Sequence, residues 1–318
     1  MVCHLCGEDV QKNGKTRDGQ QRYRCRDCSK TFSEPKPLAG KTTPIKKATV
    51  ALNMLLEGMS VRATSRLTGL DKNTILRLMT QAGDQCDALM AERVWKRPFR
   101  EIQIDEQWSF CYAKERTCQA KGFGPEAGDA YVYTAICRNS KFLICFLLGK
   151  RSSDDTWKFI ERLHHCVSGR PQITTDGYKP YIQAIPLTWD HDCDYARLIK
   201  KYGSPPAEDQ RRYSPANIIG VIQKAICGKP DESRITTSHI ERHNLTNRMH
   251  NRRFTRLTNA FSKKWENHDA MFALYAAWYN WCRPHMTIKT TPAVAAGLAK
   301  EPWTLERLLK ESASIAIG

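Results

Sequence analysis

The chain has no run of 18 or more apolar residues, so no part of it is read as a membrane-spanning helix. Acidic side chains are in short supply: 33 Asp and Glu stand against 50 Lys and Arg, a formal net charge of +17. That deficit favours a polyanionic partner, nucleic acid first, with an anionic membrane surface as the rival. The opening Met1-Val2-Cys3-His4 has no signal-peptide pattern. The 13 cysteines are therefore not read as a disulfide framework. Nine of them lie in apolar settings such as Ile136-Cys137 and Ile144-Cys145-Phe146, and are expected to be reduced core thiols of a cytoplasmic, nucleoid-associated protein. At 318 residues the chain is long enough for two or three domains and at least one sizeable core.

The other four cysteines form a pattern. Cys3-x-x-Cys6 and Cys25-x-x-Cys28 are two knuckles separated by 18 residues. Two such turns can converge on one tetrahedral ion, so residues 1–34 are read as a zinc ribbon holding one structural Zn²⁺. Asn13-Gly14 and Asp18-Gly19 mark turns between the knuckles, and Gln21-Arg22-Tyr23-Arg24 alternates like a strand. A disulfide pair or a redox CxxC is the rival reading. His4 is a bystander, because four thiolates already fill the site. A linker rich in Pro and Lys follows, to about Thr43.

Residues 44–92 predict a small all-α domain. One helix stops near Gly58, a second is capped by Ser60, and Thr68-Gly69-Leu70 turns into a third capped by Asp71 or Asn73. This is the helix-turn-helix pattern. The candidate DNA contacts are Lys72, Asn73, Thr74 and Arg77. A trihelical bundle used only for packing is the alternative.

From residue 100 to 285 the pattern is β-β-β-α-β-α-β-α, with a Pro-rich insertion at about 202–237 and a C-terminal extension over 286–318. Strands are expected at Glu101–Asp105, Ala130–Ile136, Lys141–Leu148, Gln172–Thr175 and Asp194–Ile199. The order predicts an RNase H-like α/β domain with a mixed five-stranded sheet, in a chain that is multidomain α+β. Ser238 then opens what reads as one long basic helix, running through Arg248, Arg252, Arg253 and Arg256 to Lys263 and Lys264. On a helical wheel Glu241, Arg248 and Arg252 share one stripe. Those cations are candidate phosphate contacts. Ser238-x-x-Glu241 is also a capping box, which would reduce Glu241 to a cap.

Two-metal phosphoryl transfer needs a few converging carboxylates and oxygen-rich ligation. Asp105 ends the first strand, Asp176 ends its neighbour, and Glu241 comes from the helix above them. These three are the candidate catalytic and Mg²⁺-binding residues. Glu106 competes with Asp105, Asp176-Gly177 can be a plain turn, and Asp154 and Asp155 read as helix caps. His243 is read as packing on the sheet, Trp108 as covering it, and the aromatic run from Trp265 to Trp281 as core.

At these residues the chain resembles the insertion-sequence-one family of transposases, within the DDE recombinases. The N-terminal match runs over the four cysteines, Asn13-Gly14-Lys15 to Gln21-Arg22-Tyr23, and Arg62-Ala63-Thr64-Ser65-Arg66. The catalytic match lies at Asp105-Glu106-Gln107-Trp108, Thr175-Asp176-Gly177 and Ile240-Glu241-Arg242-His243-Asn244-Leu245, with Phe261-Ser262-Lys263 in register. The chain departs from the founding member in carrying both parts in one frame. The resemblance implies that Asp105, Asp176 and Glu241 are the DDE triad, using Mg²⁺ or Mn²⁺, two ions per site. It implies a transposase that binds the terminal inverted repeats of its element, cleaves 3′ ends and joins them to target DNA as a homodimer or larger assembly, away from membranes. An inert, domesticated DNA-binding regulator is the rival from another class.

Overall fold

The computed structural model describes residues 3, 6, 8–17, 21–33, 38, 43–203, 217–256 and 258–315. A three-stranded antiparallel sheet comes first, with β1 (Val10–Lys15), β2 (Gln21–Cys25) and β3 (Thr31–Ser33) in that order. Its strands are mostly exposed, and the Tyr23 and Phe32 rings stack across β2 and β3 at 6.1 Å.

Three helices follow: α1 (Ile45–Leu56), α2 (Val61–Thr68) and α3 (Lys72–Arg93). Ser60 caps α2 by accepting from the Ala63 N–H at 3.1 Å, and Asp71 caps α3 by accepting from Asn73 and Thr74 at 2.8 and 3.4 Å. The turn between them needs Gly69, which sits at φ +66 in the left-handed region. α3 runs unbroken to the end of the small helical region. It continues through 22 residues because Ala82, Cys86, Leu89 and Met90 keep one face buried.

The large sheet has six strands, one more than expected: β4 (Glu101–Cys111), β5 (Gly128–Cys137), β6 (Leu143–Gly149), β7 (Gln172–Thr175), β8 (Asp194–Gly203) and β9 (Asn217–Cys227). Their order is β6-β5-β4-β7-β8-β9. β4 pairs antiparallel with β5 and parallel with β7, β8 runs parallel to β7, and β9 returns antiparallel along β8. The sixth strand lies inside the expected insertion. Asn217–Cys227 is apolar and β-branched enough to pair, and the prolines at 205, 206 and 215 precede it and do not interrupt it. A short helix also forms in the loop before β5, α4 (Glu115–Lys121).

Helices cover both faces. α5 (Ser153–Cys166) and α6 (Tyr181–Thr188) lie on one, where the Tyr133 hydroxyl meets Thr156. α7 (Ser238–His250) and α8 (Trp265–Trp281) lie on the other, where alternate β4 side chains bond to them. α9 (Pro292–Ala295) and α10 (Leu305–Ile315) complete ten α-helices among the described residues. Phe272, Tyr275, Trp278, Tyr279 and Trp281 are buried in α8, in line with the core reading. α3 crosses α8 so closely that a Cβ on Gly83 would overlap the Ala270 carbonyl oxygen. One core therefore runs from Leu52 and Ile75 in the small helices to Ile104 and Phe146 in the sheet.

The long basic helix is not continuous. α7 stops at His250, Asn251 turns extended, Arg252–Phe254 form one 3-10 turn, and Lys264 leads into α8. The Thr255 hydroxyl closes the end of α7 on the Arg248 carbonyl at 2.9 Å. Arg252 therefore leaves the stripe of Glu241 and Arg248.

Candidate active site and metal centres

β4 carries the candidate active site, and its alternation explains how. Gln103, Asp105, Gln107 and Ser109 point to the α7 and α8 face, an all-polar row at positions where a buried strand is usually apolar. Each finds a partner. Gln103 Oε1 accepts from the His239 and Ile240 N–H groups, both at 3.0 Å, and so caps α7 from the sheet. Asn244 donates to Asp105 Oδ2 at 2.7 Å. Gln107 donates to the Asn244 carbonyl at 2.9 Å and accepts from Asn247. The Ser109 hydroxyl meets His268 Nε2 at 2.8 Å, and Ser262 meets the other ring nitrogen at 2.9 Å. This row fixes the register of α7 over β4.

Asp105 is not at the end of its strand, as expected, but in its middle, opposite Thr134 of β5. The strand that ends there is the neighbour. β7 stops at Thr175, its pairing with β4 reaches only Gln103, and the gap beside Asp105 is filled by the turn carrying Asp176. Asp176 Oδ1 accepts from the Tyr178 N–H at 2.8 Å, and buried Arg197 bonds the Asp176 and Gly177 carbonyls. Asp105, Glu106 and Asp176 each offer an oxygen within 4.8 Å of the others. Burial first, and then the Asp176 charge, push the Asp105 carboxyl up to about 7 and Glu106 up to about 8. Carboxyls this close either keep a proton between them or share a cation, so the cluster could hold a metal ion.

Glu241 lies at the rim. The rival reading of a capping box does not hold: Thr237 precedes the helix, Ser238 is its first residue, and Gln103 satisfies the next two donors. The carboxylate accepts from the Thr237 hydroxyl at 2.6 Å and is paired with Lys200 of β8. It is exposed, and its charge is felt at Asp105. Asp155 accepts from the Lys150 N–H at 2.7 Å, and Ser152 caps α5, so the Asp154-Asp155 pair sits at a helix start as expected.

Several site residues carry no local sequence signal. Arg151 donates to Glu106 Oε2 at 3.2 Å and lies over the Tyr178 and Tyr131 rings at 4.4 and 5.5 Å. Lys200 comes from β8. Asn244 was within reach: it lies three residues after Glu241, on the same helix face. His243 turns away into the core, edge-on to Tyr279 at 4.9 Å, and burial pushes it down to about 3.

The candidate DNA contacts gather in clefts on one side. Lys72 and Asn73 line a cleft with Arg252, Arg253 and Lys263. Arg77 and Asn73 line another with Lys264. Arg253 and Arg256 line a third beside Trp108, which is 36% exposed. Arg248 is half-buried on α7, close enough to Asp105 and Arg256 to feel both charges. Thr74 is partly buried at the start of α3 and lines none of these three clefts.

The second candidate metal centre is the cysteine cluster. All four Sγ atoms of Cys3, Cys6, Cys25 and Cys28 lie within 4.8 Å of one another, with Cys3 and Cys28 at 3.6 Å and Cys6 and Cys25 at 3.4 Å. A disulfide would need about 2.0 Å. A tetrahedron with bonds of about 2.3 Å spaces its sulfurs by roughly 3.8 Å. The Cys3 and Cys25 N–H groups bond the Glu8 and Lys30 carbonyls at 2.7 and 3.0 Å, closing two matching turns. The donor set and spacing fit zinc.

No protein-family model matches the chain. Among solved structures, the piggyBac transposase in its synaptic complex with hairpin DNA is similar over 86% of this chain and 72% of that one, with a TM-score of 0.35 and 10% identity. That overlap is too loose to align side chains. No described helix is long and apolar enough to cross a membrane.

Proposed function

We propose that this chain is a DDE transposase of the insertion-sequence-one kind, which binds the terminal inverted repeats of its element, cleaves 3′ ends and joins them to target DNA. The observation that carries the reading is the meeting of Asp105 and Asp176 where β7 stops beside β4, with Glu241 on the helix sewn over that point. The strand order around β4 supports an RNase H-like core spanning about residues 100–285. The ribbon over 1–34 and the helix-turn-helix over 44–92 would supply recognition.

Each part of the chain has a role in this reading. Asp105 and Asp176 would hold Mg²⁺ or Mn²⁺, and Glu241, paired with Lys200 here, would complete the set on leaving it. A bound divalent ion polarises the scissile phosphate and favours ionisation of the attacking hydroxyl. Asn244 and the Glu106 N–H hold the Asp105 carboxylate in one orientation, which limits the rearrangement needed at the reacting centre. Arg248 sets a positive charge beside the site. Lys72, Asn73, Arg252, Arg253 and Lys263 would grip the phosphates of one duplex end across their shared cleft, with Arg77, Arg256 and Lys264 on its flanks. The paired ends of an element call for a dimer or a larger assembly.

The test is a strand-transfer assay with a pre-cut terminal-repeat duplex and Mn²⁺. Wild-type protein should join it to target DNA, and Asp176→Asn should not. Joining that survives Asp176→Asn sinks the assignment. Tight end binding with no joining by the wild type would favour the inert regulator.

A further inference from the structure

The carboxylates that the sequence singles out and those that the fold brings together are not the same three. Glu241 is held outward by Lys200 and Thr237. Glu106 sits inside the cluster with Asp105 and Asp176. Its side chain is only 1% exposed. Oε2 accepts from Arg151, but Oε1 is buried and makes no hydrogen bond. The buried Tyr181 hydroxyl lies near enough to lower this carboxyl as a donor would, but it makes no hydrogen bond of full geometry to Oε1. A buried carboxylate oxygen left without a donor either keeps a proton or takes a cation in its place.

Arg151 does not fill that need. Its guanidinium engages the other oxygen, is 38% exposed, and is kept over the Tyr178 and Tyr131 rings. The Tyr178 hydroxyl pins the Arg151 carbonyl at 2.8 Å, which fixes the backbone from which the side chain reaches. What remains is a buried, unpartnered carboxylate oxygen beside two further carboxylates. That donor set suits a small, hard divalent cation.

Resting on the reading of Asp105 and Asp176 as metal-binding, we propose that Glu106 is their third ligand in the DNA-free protein. It holds one Mg²⁺ or Mn²⁺ with them, and Glu241 lies outside this set until DNA is bound. The rival is that Glu106 is only the structural counter-ion of Arg151.

Mn²⁺ alone is the probe, titrated into the full-length, zinc-loaded chain without DNA, with free ion read by electron paramagnetic resonance. Glu106→Gln and Asp176→Asn should each weaken binding roughly tenfold or more, the scale of a lost metal-site partner. Glu241→Gln should leave it within about twofold of wild type. The metal-free melting temperature of Glu106→Gln should equal or exceed that of wild type, while the rise induced by Mn²⁺ disappears. Should the Gln variant fail to fold, Glu106→Asp keeps the charge for Arg151 but shortens the reach, and should weaken Mn²⁺ in the same direction. Wild-type Mn²⁺ affinity in the Glu106 variants, with Asp176→Asn weakened, overturns the proposal and leaves the transposase reading standing. A large loss in Glu241→Gln with none in Glu106→Gln overturns it as well. Unchanged affinity in all three variants would remove the acidic centre altogether.

Discussion

The two candidate metal centres are built on opposite principles. The cysteine cluster stands on three short, exposed strands, and among the described residues before Leu38 only Cys3 and Cys25 are buried. With so little buried surface there, an ion among the four cysteines would supply most of what holds the two turns together. The acidic centre stands on a six-stranded sheet whose core continues into α3 and α8. Its carboxyls are held close together by a scaffold with its own large apolar core. On the proposed reading, the metal would make the fold in the first site, and the fold would make the metal site in the second. Position along the chain does not separate the two, but the amount of apolar surface beneath the ligands does.

The largest expected effect follows from the first half of that contrast. Cys25→Ser should unfold residues 1–34, because zinc supplies about 10–16 kcal/mol of folding energy in peptides of this kind. Loss of the ribbon's amide dispersion by NMR, with the sheet resonances unchanged, is the measurement. Loss of both together would mean that the two regions fold as one. Next comes Asp105→Asn, which should cut strand transfer by about a thousandfold or more, several kcal/mol of barrier. Its melting temperature should not fall, since it relieves repulsion.

A third effect is pH dependence. The Asp105 and Glu106 carboxyls are raised in the folded chain from 3.8 and 4.5 to about 7 and about 8. The folded chain keeps protons there that the unfolded chain has already released. This contribution favours folding at low pH and is lost as the pH climbs from about 4 to about 8. Buried His243 and His268, both pushed down to about 3, act in the opposite sense below pH 6.5. The comparison is therefore between variants. Without Mg²⁺, wild type should lose more denaturant midpoint from pH 5 to pH 8 than Glu106→Gln does, and added Mg²⁺ should close the gap. Equal slopes would mean that the cluster is not strained. The smallest effect is Gln103→Ala. Removing the cap that the sheet gives to α7 should cost about 1 kcal/mol in chemical denaturation, with zinc content unchanged.

The sequence made some of this legible and hid the rest for physical reasons. The cysteine knuckles show because ligand spacing is a local property. Asp176 shows because a short β-branched run ends in Asp-Gly, a turn signal. β9 stayed hidden behind the prolines of the expected insertion, and its own residues do not alternate: apolar pairs at Ile218-Ile219 and Val221-Ile222 blur the period of two. The end of α7 stayed hidden because arginines have high helix propensity. What ends the helix is Asn251 turning extended, with its own side chain bonded to the Arg253 N–H at 3.3 Å. Glu106 looked like a rival to Asp105 because strand alternation sends the two side chains to opposite faces. Only the early stop of β7 lets both reach one point. Arg151 and Lys200 act from 45 and 41 residues away in the chain, and no local pattern announces such pairs.

The central claim is that the acidic centre on β4 is a metal site distinct in kind from the ribbon. Crystals of the full chain soaked in Mn²⁺, with data collected at the zinc and manganese absorption edges, test it directly. The expected result is zinc among the four cysteines and manganese between Asp105 and Asp176, within ligand distance of Glu106. Zinc at the cysteines with no manganese between Asp105 and Asp176 would contradict it.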